Sequence, residues 1–358
     1  MKVLITGICG FVGSALARYL RGQRDASSLQ ILGLDNLSRL GSETNRHALG
    51  GLGITVLHGD VRLATDLEAC GEIDWIIDAA ANPSVLAGVD GRTSTRQLVD
   101  NNLTGTINLV EHCKSVGAGL VLLSTSRVYS IPPLAAMPVR AESGAFHLDL
   151  STSIHGVSAA GISEEFSTSP PLSLYGVSKL ASEAIALEYG HTFDLPVWIN
   201  RCGVLAGAGQ FGHATQGIFS FWINAHLRRR PLSYIGFQGS GLQVRDCLHP
   251  ADLGAIVLKQ LDAGAPGARP NVVNVSGGVE NSMSLRQLTE WCDQRFGAHA
   301  VASDPRPRRF DVPWMVLDSA LASHTWQWRP CFGLPAILEE IAAHAEAHPE
   351  WLHVSGAA

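Results

Sequence analysis

Three glycines open the chain with a chemical possibility. Gly7, Gly10 and Gly13 form G-x-x-G-x-x-G directly after the apolar run Val3-Leu4-Ile5 and at the start of a helical pattern. In a strand–turn–helix, such spacing gives a tight turn, lets the backbone approach a pyrophosphate, and packs the helix closely on the strand. Cys9, Phe11 and Val12 complete the candidate loop. Asp35 closes the next apolar run, where a carboxylate accepts hydrogen bonds from adenosine ribose hydroxyls and repels a 2′-phosphate; the residues therefore favour NAD over NADP. Asp60 and Val61, after a third apolar run, are placed to address the adenine edge. Further on, Thr125 ends another run, and Tyr175 and Lys179 stand four apart at the start of a second helical pattern, hence on one helix face. A tyrosine, with its ordinary pKa of about 10, is a poor base at neutral pH; an ammonium and a cationic nicotinamide ring beside it would favour the phenolate. Thr125 would hydrogen-bond the substrate oxygen, and Lys179 would also hold the nicotinamide ribose. With only four lysines and five tyrosines in 358 residues, this spacing is uncommon by chance.

Positioning these groups requires a sheet. Strands are expected at residues 3–5, 30–34, 54–57, 75–77, 120–123 and 196–200, and helices at 11–20, 96–114 and 174–189. Unbroken apolar runs separated by helices indicate a parallel sheet covered on both faces, the Rossmann-type doubly wound α/β pattern. The Ser-, Pro-, Gly- and Ala-rich stretch 130–171 reads as a long ordered loop near the site. The βαβ rhythm is lost beyond Gly207. The expected organisation is a nucleotide-binding domain over 1–207, taking back segments near 240–262, and a smaller, discontinuous α/β substrate-binding lobe over most of 208–358.

Composition supports a large core. Charged residues are 16%, below the usual ~25%, and hydrophobic residues are 46%. The net charge of −6 argues against a nucleic-acid partner. No apolar run approaches the roughly 18 residues a membrane helix needs, so no membrane partner is expected. Seven scattered cysteines without a C-x-x-C pair point to free thiols in a reducing cytoplasm rather than disulfides or zinc; no metal site is expected.

Taken together, these motifs resemble the extended short-chain dehydrogenase/reductase family of sugar-nucleotide epimerases and dehydratases, along almost the whole chain. Asn102-Leu103-Thr104-Gly105-Thr106 resembles its N-x-x-G-T helix, Ala79-Ala80-Ala81 its small residues at the fourth strand end, Arg245-Asp246-Cys247-Leu248-His249 its R-D-x-x-H segment, and Trp328-Arg329-Pro330 its late W-x-P. Within the family, Asp35-Asn36-Leu37-Ser38-Arg39, Gln210-Phe211, Gln216-Gly217 and the phrase Gln243 to His249 are similar to members that act at carbon 2 of a CDP-dideoxyhexose. So is Asn274 to Gly278 followed by Asn281 to Leu285.

The resemblance implies that NAD oxidises the sugar and the hydride returns to its opposite face. It implies catalytic roles for Thr125, Tyr175 and Lys179. It implies cofactor contacts for the glycine loop, Asp35, Asn36, Ser38, Arg39, Asp60, Val61, Ala79, Ala80, Ala81, Asn102 and Arg201, besides Tyr175 and Lys179. Substrate contacts fall on Thr125, Ser126, Arg127, Gln210, Gln216, Gly217, Arg245 and Arg308, with Arg245 clamping the diphosphate. A homodimer through the helices 96–114 and 174–189 is also implied.

The chain departs from the family's pattern in places. Dehydratases carry Asp-Glu after the catalytic Thr; Ser126 and Arg127 stand here, so 4,6-dehydration is not expected. Val204-Leu205-Ala206-Gly207 replaces the family's Asn-x-Tyr-Gly, and Tyr129-Ser130 its Tyr-Gly. The extra segment Ile131 to Phe166 is expected to cover or line the substrate site, with His147 and His155 solvent-exposed. The main expectation is an epimerase that keeps NAD bound, with a CDP-sugar favoured as partner. A UDP-hexose 4-epimerase, an oxidoreductase that exchanges its cofactor and a silent NAD sensor are the alternatives; the complete Thr–Tyr–Lys set argues against the last.

Overall fold

The structure is a computed structural model that describes residues 1–89, 91, 94–213 and 216–357. Its centre is a seven-stranded parallel sheet: β1 (Lys2–Thr6), β2 (Gln30–Asp35), β3 (Thr55–His58), β4 (Trp75–Asp78), β5 (Gly119–Thr125), β6 (Val197–Cys202) and β7 (Val272–Val275). The order is β7-β6-β5-β4-β1-β2-β3, a doubly wound Rossmann arrangement extended by one strand. Alternate residues feed opposite layers, as a period of two requires. Val3, Ile5, Ile77, Val121 and Trp198 enter one core with the helices α1 (Phe11–Gln23) and α2 (Pro250–Ala263). Leu4, Ile76, Leu120, Leu122 and Ile199 enter the other with α3 (Gly105–Val116) and α4 (Leu174–Thr192). This double burial explains why the strands read as unbroken apolar runs.

α4 begins where it does because Ser173 caps it, its hydroxyl accepting the Gly176 N–H at 3.0 Å. Glycine at 176 has a tertiary cause as well: a Cβ there would collide with the Arg127 carbonyl oxygen. The helix therefore lies hard against the end of β5, which brings Tyr175 to Thr125.

The expected helix at 96–114 forms as Thr95–Val99 and α3 joined by a π-helical turn, Asp100–Thr104. Beyond residue 207 a second lobe packs around its own core of Phe219, Trp222, Leu288, Ile337 and Ile341. Its three-stranded sheet holds Val244–Asp246 between Ser282–Ser284 and Trp314–Met315. Six of the seven cysteines are buried and all are free. Among the described residues no helix is long and apolar enough to cross a membrane.

The segment 130–171 departs from expectation. It forms a short helix (Ile131–Ala135), a hairpin (Val139–Glu142 with Ala145–Leu148) and a second small pair (Val157–Ser158 with Gly161–Ile162). Leu134, Met137, Ala145, Ile162 and Phe166 bury themselves against Val312 and Trp314–Leu317. Ile162 donates to the Val316 carbonyl and accepts from Asp318 N, both at 2.9 Å. None of residues 131–166 lines the main cavity. The loop reading failed because each piece is too short to show a period, and its apolar partners lie far along the chain. His147 and His155 are exposed, as expected.

Candidate active site

One cavity of about 650 Å³ runs along the carboxyl ends of the parallel strands, from the glycine loop to the second lobe. This is where ligands bind open α/β sheets. At its first end, Gly7 has φ +60°, which a side chain disfavours, and a Cβ at Gly13 would strike the Gly7 carbonyl oxygen and stand 2.7 Å from Ile8 Cα. Gly13→Ala is therefore expected to open the loop, costing about 1–3 kcal/mol of stability and releasing bound NAD, measured by thermal unfolding and by the nucleotide content of the purified protein.

Asp35 orders this end. One carboxylate oxygen accepts Cys9 N–H at 2.8 Å and the other Leu37 N–H at 2.8 Å. Burial raises its pKa against those backbone donors. A carboxylate has about four acceptor positions, and with the Gly10 N–H also directed at it, capacity remains for a ribose hydroxyl. Asn36 donates to Asp60 at 3.0 Å, and Arg62 pairs with Asp60 at 2.6 Å. Although burial opposes it, these donors hold the Asp60 carboxyl down at about 2. Arg39 turns away from the ribose end: it donates to Gln216 Oε1 at 3.2 Å and to the Phe211 carbonyl. A glycine-permitted turn, a free helix N-terminus and a buried acceptor at the strand end fit a dinucleotide.

At mid-cavity Thr125 lies close enough to the Tyr175 phenol to oppose the rise of its pKa, and its hydroxyl accepts the Arg127 N–H at 3.2 Å. Burial pushes the Tyr175 phenol up to about 12, while Thr125 and Arg127 pull the other way. Lys179, together with the cationic nicotinamide ring, was expected to draw this pKa towards neutrality. In the protein without ligand, burial dominates, and the cation acting on the phenol is Arg127. Lys179, one turn along α4, is 2% exposed and does not line the cavity. It lies close enough to Cys202 to oppose the burial that raises that thiol to about 12.

At the far end Arg127, Arg245 and Arg308 converge around Asp311. Burial, then the charge of Arg245, brings the Arg127 guanidinium down to about 10, with Asp311 opposing. Arg245 donates to Asp311 at 2.7 Å and to the carbonyls of Val244 (2.7 Å) and Val312 (3.0 Å). Those bonds engage three of its five N–H donors and leave two for a ligand among the described residues. Arg127 reaches the Phe310 carbonyl at 3.4 Å; Phe310 has φ +61°, an uncommon conformation for a bulky residue, which turns that carbonyl inward. Concentrated buried positive charge beside one carboxylate suits a diphosphate. Phe221, Trp222, Pro231, Leu232, Ile235 and Met283 form an apolar wall beyond.

The structure therefore gathers Gly7, Gly10, Phe11, Val12, Gly13, Asp35, Asn36, Ser38, Arg39, Asp60, Val61, Ala79, Ala80 and Ala81 along one half of the cavity. Thr125, Ser126, Arg127, Tyr175, Gln210, Gln216, Gly217, Arg245 and Arg308 line the other. Besides Lys179, three expected residues stand outside it. Cys9 is fully buried, with its N–H on Asp35 and its carbonyl on Asn45. Asn102 braces the Asn82 backbone and Ser178, tying the loop after β4 to α4. Arg201 is spent on a buried pair with Glu183 at 2.7 Å. In each case the protein itself satisfies a buried polar group. Phe310 and Asp311 were missed by the sequence reading. Nothing local marks them, since their role comes from where the second lobe folds.

The sequence matches the NAD dependent epimerase/dehydratase family over residues 3–276, and the chain belongs to that family. Its cofactor is accordingly NAD, and the resemblance to the extended short-chain dehydrogenases/reductases holds. The chain is similar to the CDP-paratose 2-epimerase of Salmonella typhi, 26% identical over 345 residues, covering 92% of this chain and 95% of that protein. It is equally similar to the UDP-glucuronate 4-epimerase of Thermodesulfobacterium geofontis, 26% identical over 341 residues, covering 91% and 90%. Among solved structures, the UDP-glucuronic acid 4-epimerase from Bacillus cereus in complex with UDP-glucuronic acid and NAD superposes with TM-score 0.74. The two are 24% identical over 97% of this chain and 99% of that one, a likeness of fold.

Proposed function

We propose that this protein is an NAD-dependent epimerase of a nucleotide-activated sugar, acting at carbon 2 of a CDP-dideoxyhexose. The observation that carries the reading is one continuous cavity holding three things in line: a dinucleotide cradle, the Thr125–Tyr175 hydroxyl pair, and the Arg127–Arg245–Arg308 cluster. Bound NAD supplies a reversible acceptor for the hydrogen on the sugar carbon. Tyr175 takes the proton from the sugar hydroxyl and later gives it back, while Thr125 holds that oxygen in line. Arg245 and Arg308 grip the diphosphate, so the sugar can turn about its link to the phosphate and offer its other face. Ser126 and Arg127 flank Thr125 where elimination of water would need a carboxylic acid and a base, which favours epimerisation over dehydration. The apolar wall of Phe221, Trp222 and Met283 suits a nucleobase.

The choice of CDP and carbon 2 rests on the phrases Gln210-Phe211, Gln216-Gly217 and Gln243 to His249, and on the likeness to the Salmonella typhi protein. The equal likeness to a UDP-glucuronate 4-epimerase makes a UDP-sugar 4-epimerase the second reading.

Two measurements test this. Denaturing the purified protein should release close to one NAD per chain, because an epimerase regenerates its cofactor each turnover. A protein purified empty that accumulates NADH on adding sugar would be an oxidoreductase instead. Incubation with CDP-, UDP-, GDP- and dTDP-hexoses, read by NMR, should show inversion at carbon 2 of the CDP-sugar; inversion at carbon 4 of a UDP-sugar would select the second reading.

A further inference from the structure

The polar groups packed behind the catalytic strand end form a connected set that no catalytic step above uses. Tyr175, Lys179 and Glu183 follow at i, i+4 and i+8 on one face of α4. Glu183 is 2% exposed. It accepts the Ser124 hydroxyl, and it receives the Arg201 guanidinium through Nε at 3.1 Å and Nη2 at 2.7 Å. Ser124 precedes Thr125, and the register of β5 on β6 places Ser124 beside Arg201 and Thr125 beside Cys202. One carboxylate thus joins the catalytic helix to both strands at the level of the reacting hydroxyls.

We propose that Glu183, held by Arg201, is a positioning residue that locks α4 to β5 one residue before Thr125 and thereby sets the spacing of the Thr125 and Tyr175 hydroxyls. The same set reaches outward. Arg201 lies 3.4 Å from the Tyr129 hydroxyl, which donates to Asn274 Oδ1 at 2.7 Å. Asn274 in turn donates to the Ile162 carbonyl at 3.0 Å and, from its backbone N–H, to Glu164 at 2.6 Å. The 131–166 segment, absent from the cavity wall, braces the catalytic strand through this chain of bonds.

The alternative is that the pair only holds the fold, and the two roles separate cleanly. A buried ion pair replaced on both sides by apolar residues of similar volume commonly leaves stability unchanged or raised. The test variant is Glu183→Met combined with Arg201→Met. The expected result is an unfolding temperature at or above wild type and full NAD content. KM should stay within about twofold, kcat should fall about tenfold or more, and the alkaline limb of the kcat–pH profile should move. Wild-type kcat in that folded variant overturns the proposal. Should the double variant fail to fold, Ser124→Ala leaves the ion pair intact and removes its link to β5. A kcat several-fold lower at unchanged KM and NAD content supports the proposal, and an unchanged kcat overturns it.

The assay rests on the nucleotide-sugar reading, whose failure would be seen separately as a wild type that turns over none of the sugars. In that event the phenol is followed without substrate. NMR titration of isotope-labelled tyrosine, with Tyr175 assigned through Tyr175→Phe, should show a displaced Tyr175 titration in the variant, and an undisplaced one overturns the proposal.

Discussion

Tyr175→Phe is expected to lower kcat by about three to four orders of magnitude while KM and bound NAD stay close to wild type. The substitution removes one oxygen from a packed ring and leaves the α4 cap and the Gly176 contact untouched, so neither fold nor cofactor cradle should change. Under the proposed function it removes the group that exchanges the proton with the sugar hydroxyl, an interaction made only as the reaction proceeds. The pH dependence gives a second signature. Burial holds the phenol up to about 12 in the protein without ligand, and a base acts only once deprotonated. The wild-type rate should therefore rise with pH towards a plateau as the phenolate forms. Cationic groups at the loaded site draw that rise below 12, and Tyr175→Phe should abolish it. Turnover undiminished in the variant would remove Tyr175 from the mechanism.

Arg245→Met is expected to raise KM for the nucleotide sugar by about 30- to 5000-fold, with a much smaller change in kcat. Truncating one partner of a buried charged hydrogen bond costs about 2–5 kcal/mol. Arg245 is fixed by Asp311 and two carbonyls with its remaining donors free for phosphate oxygens. The diphosphate takes no part in the oxidation, so its loss should weaken ground state and transition state alike. The variant also strands the Asp311 carboxylate, and some instability is expected. Adding Asp311→Asn should restore the unfolding temperature without restoring KM. Recovery of KM in the double variant would show that Arg245 serves the fold alone.

Much of this site was legible in the chain because its parts are local. A glycine loop works through a strand, a turn and a helix that are adjacent in sequence. Asp35 is read at a strand end, and Tyr175 and Lys179 are one helical turn apart. The same locality explains the strands, whose double burial writes itself as apolar runs. What went astray shares the opposite property. Arg201 was expected on the cofactor, but Glu183 of α4 pairs with it. Asn102 was expected on the cofactor, but Asn82 and Ser178 claim it. Lys179 was expected to bring the phenol towards neutrality, but without ligand burial holds the phenol up and Arg127 is the cation that opposes the rise. The segment 131–166 was expected over the substrate and instead packs on Val312–Leu317.

By itself, then, the sequence determined the Rossmann-type sheet, the glycine turn after its first strand and the placing of Tyr175 and Lys179 on one helix face, because backbone turn geometry and helical periodicity are properties of short stretches of chain. Only the tertiary structure decided which polar side chains face the cavity. It alone brought Arg127, Arg245 and Arg308 to Asp311 at one end of the cavity. The reason is that a buried charge must be met by a partner wherever the fold supplies one, and those partners come from residues far apart along the chain.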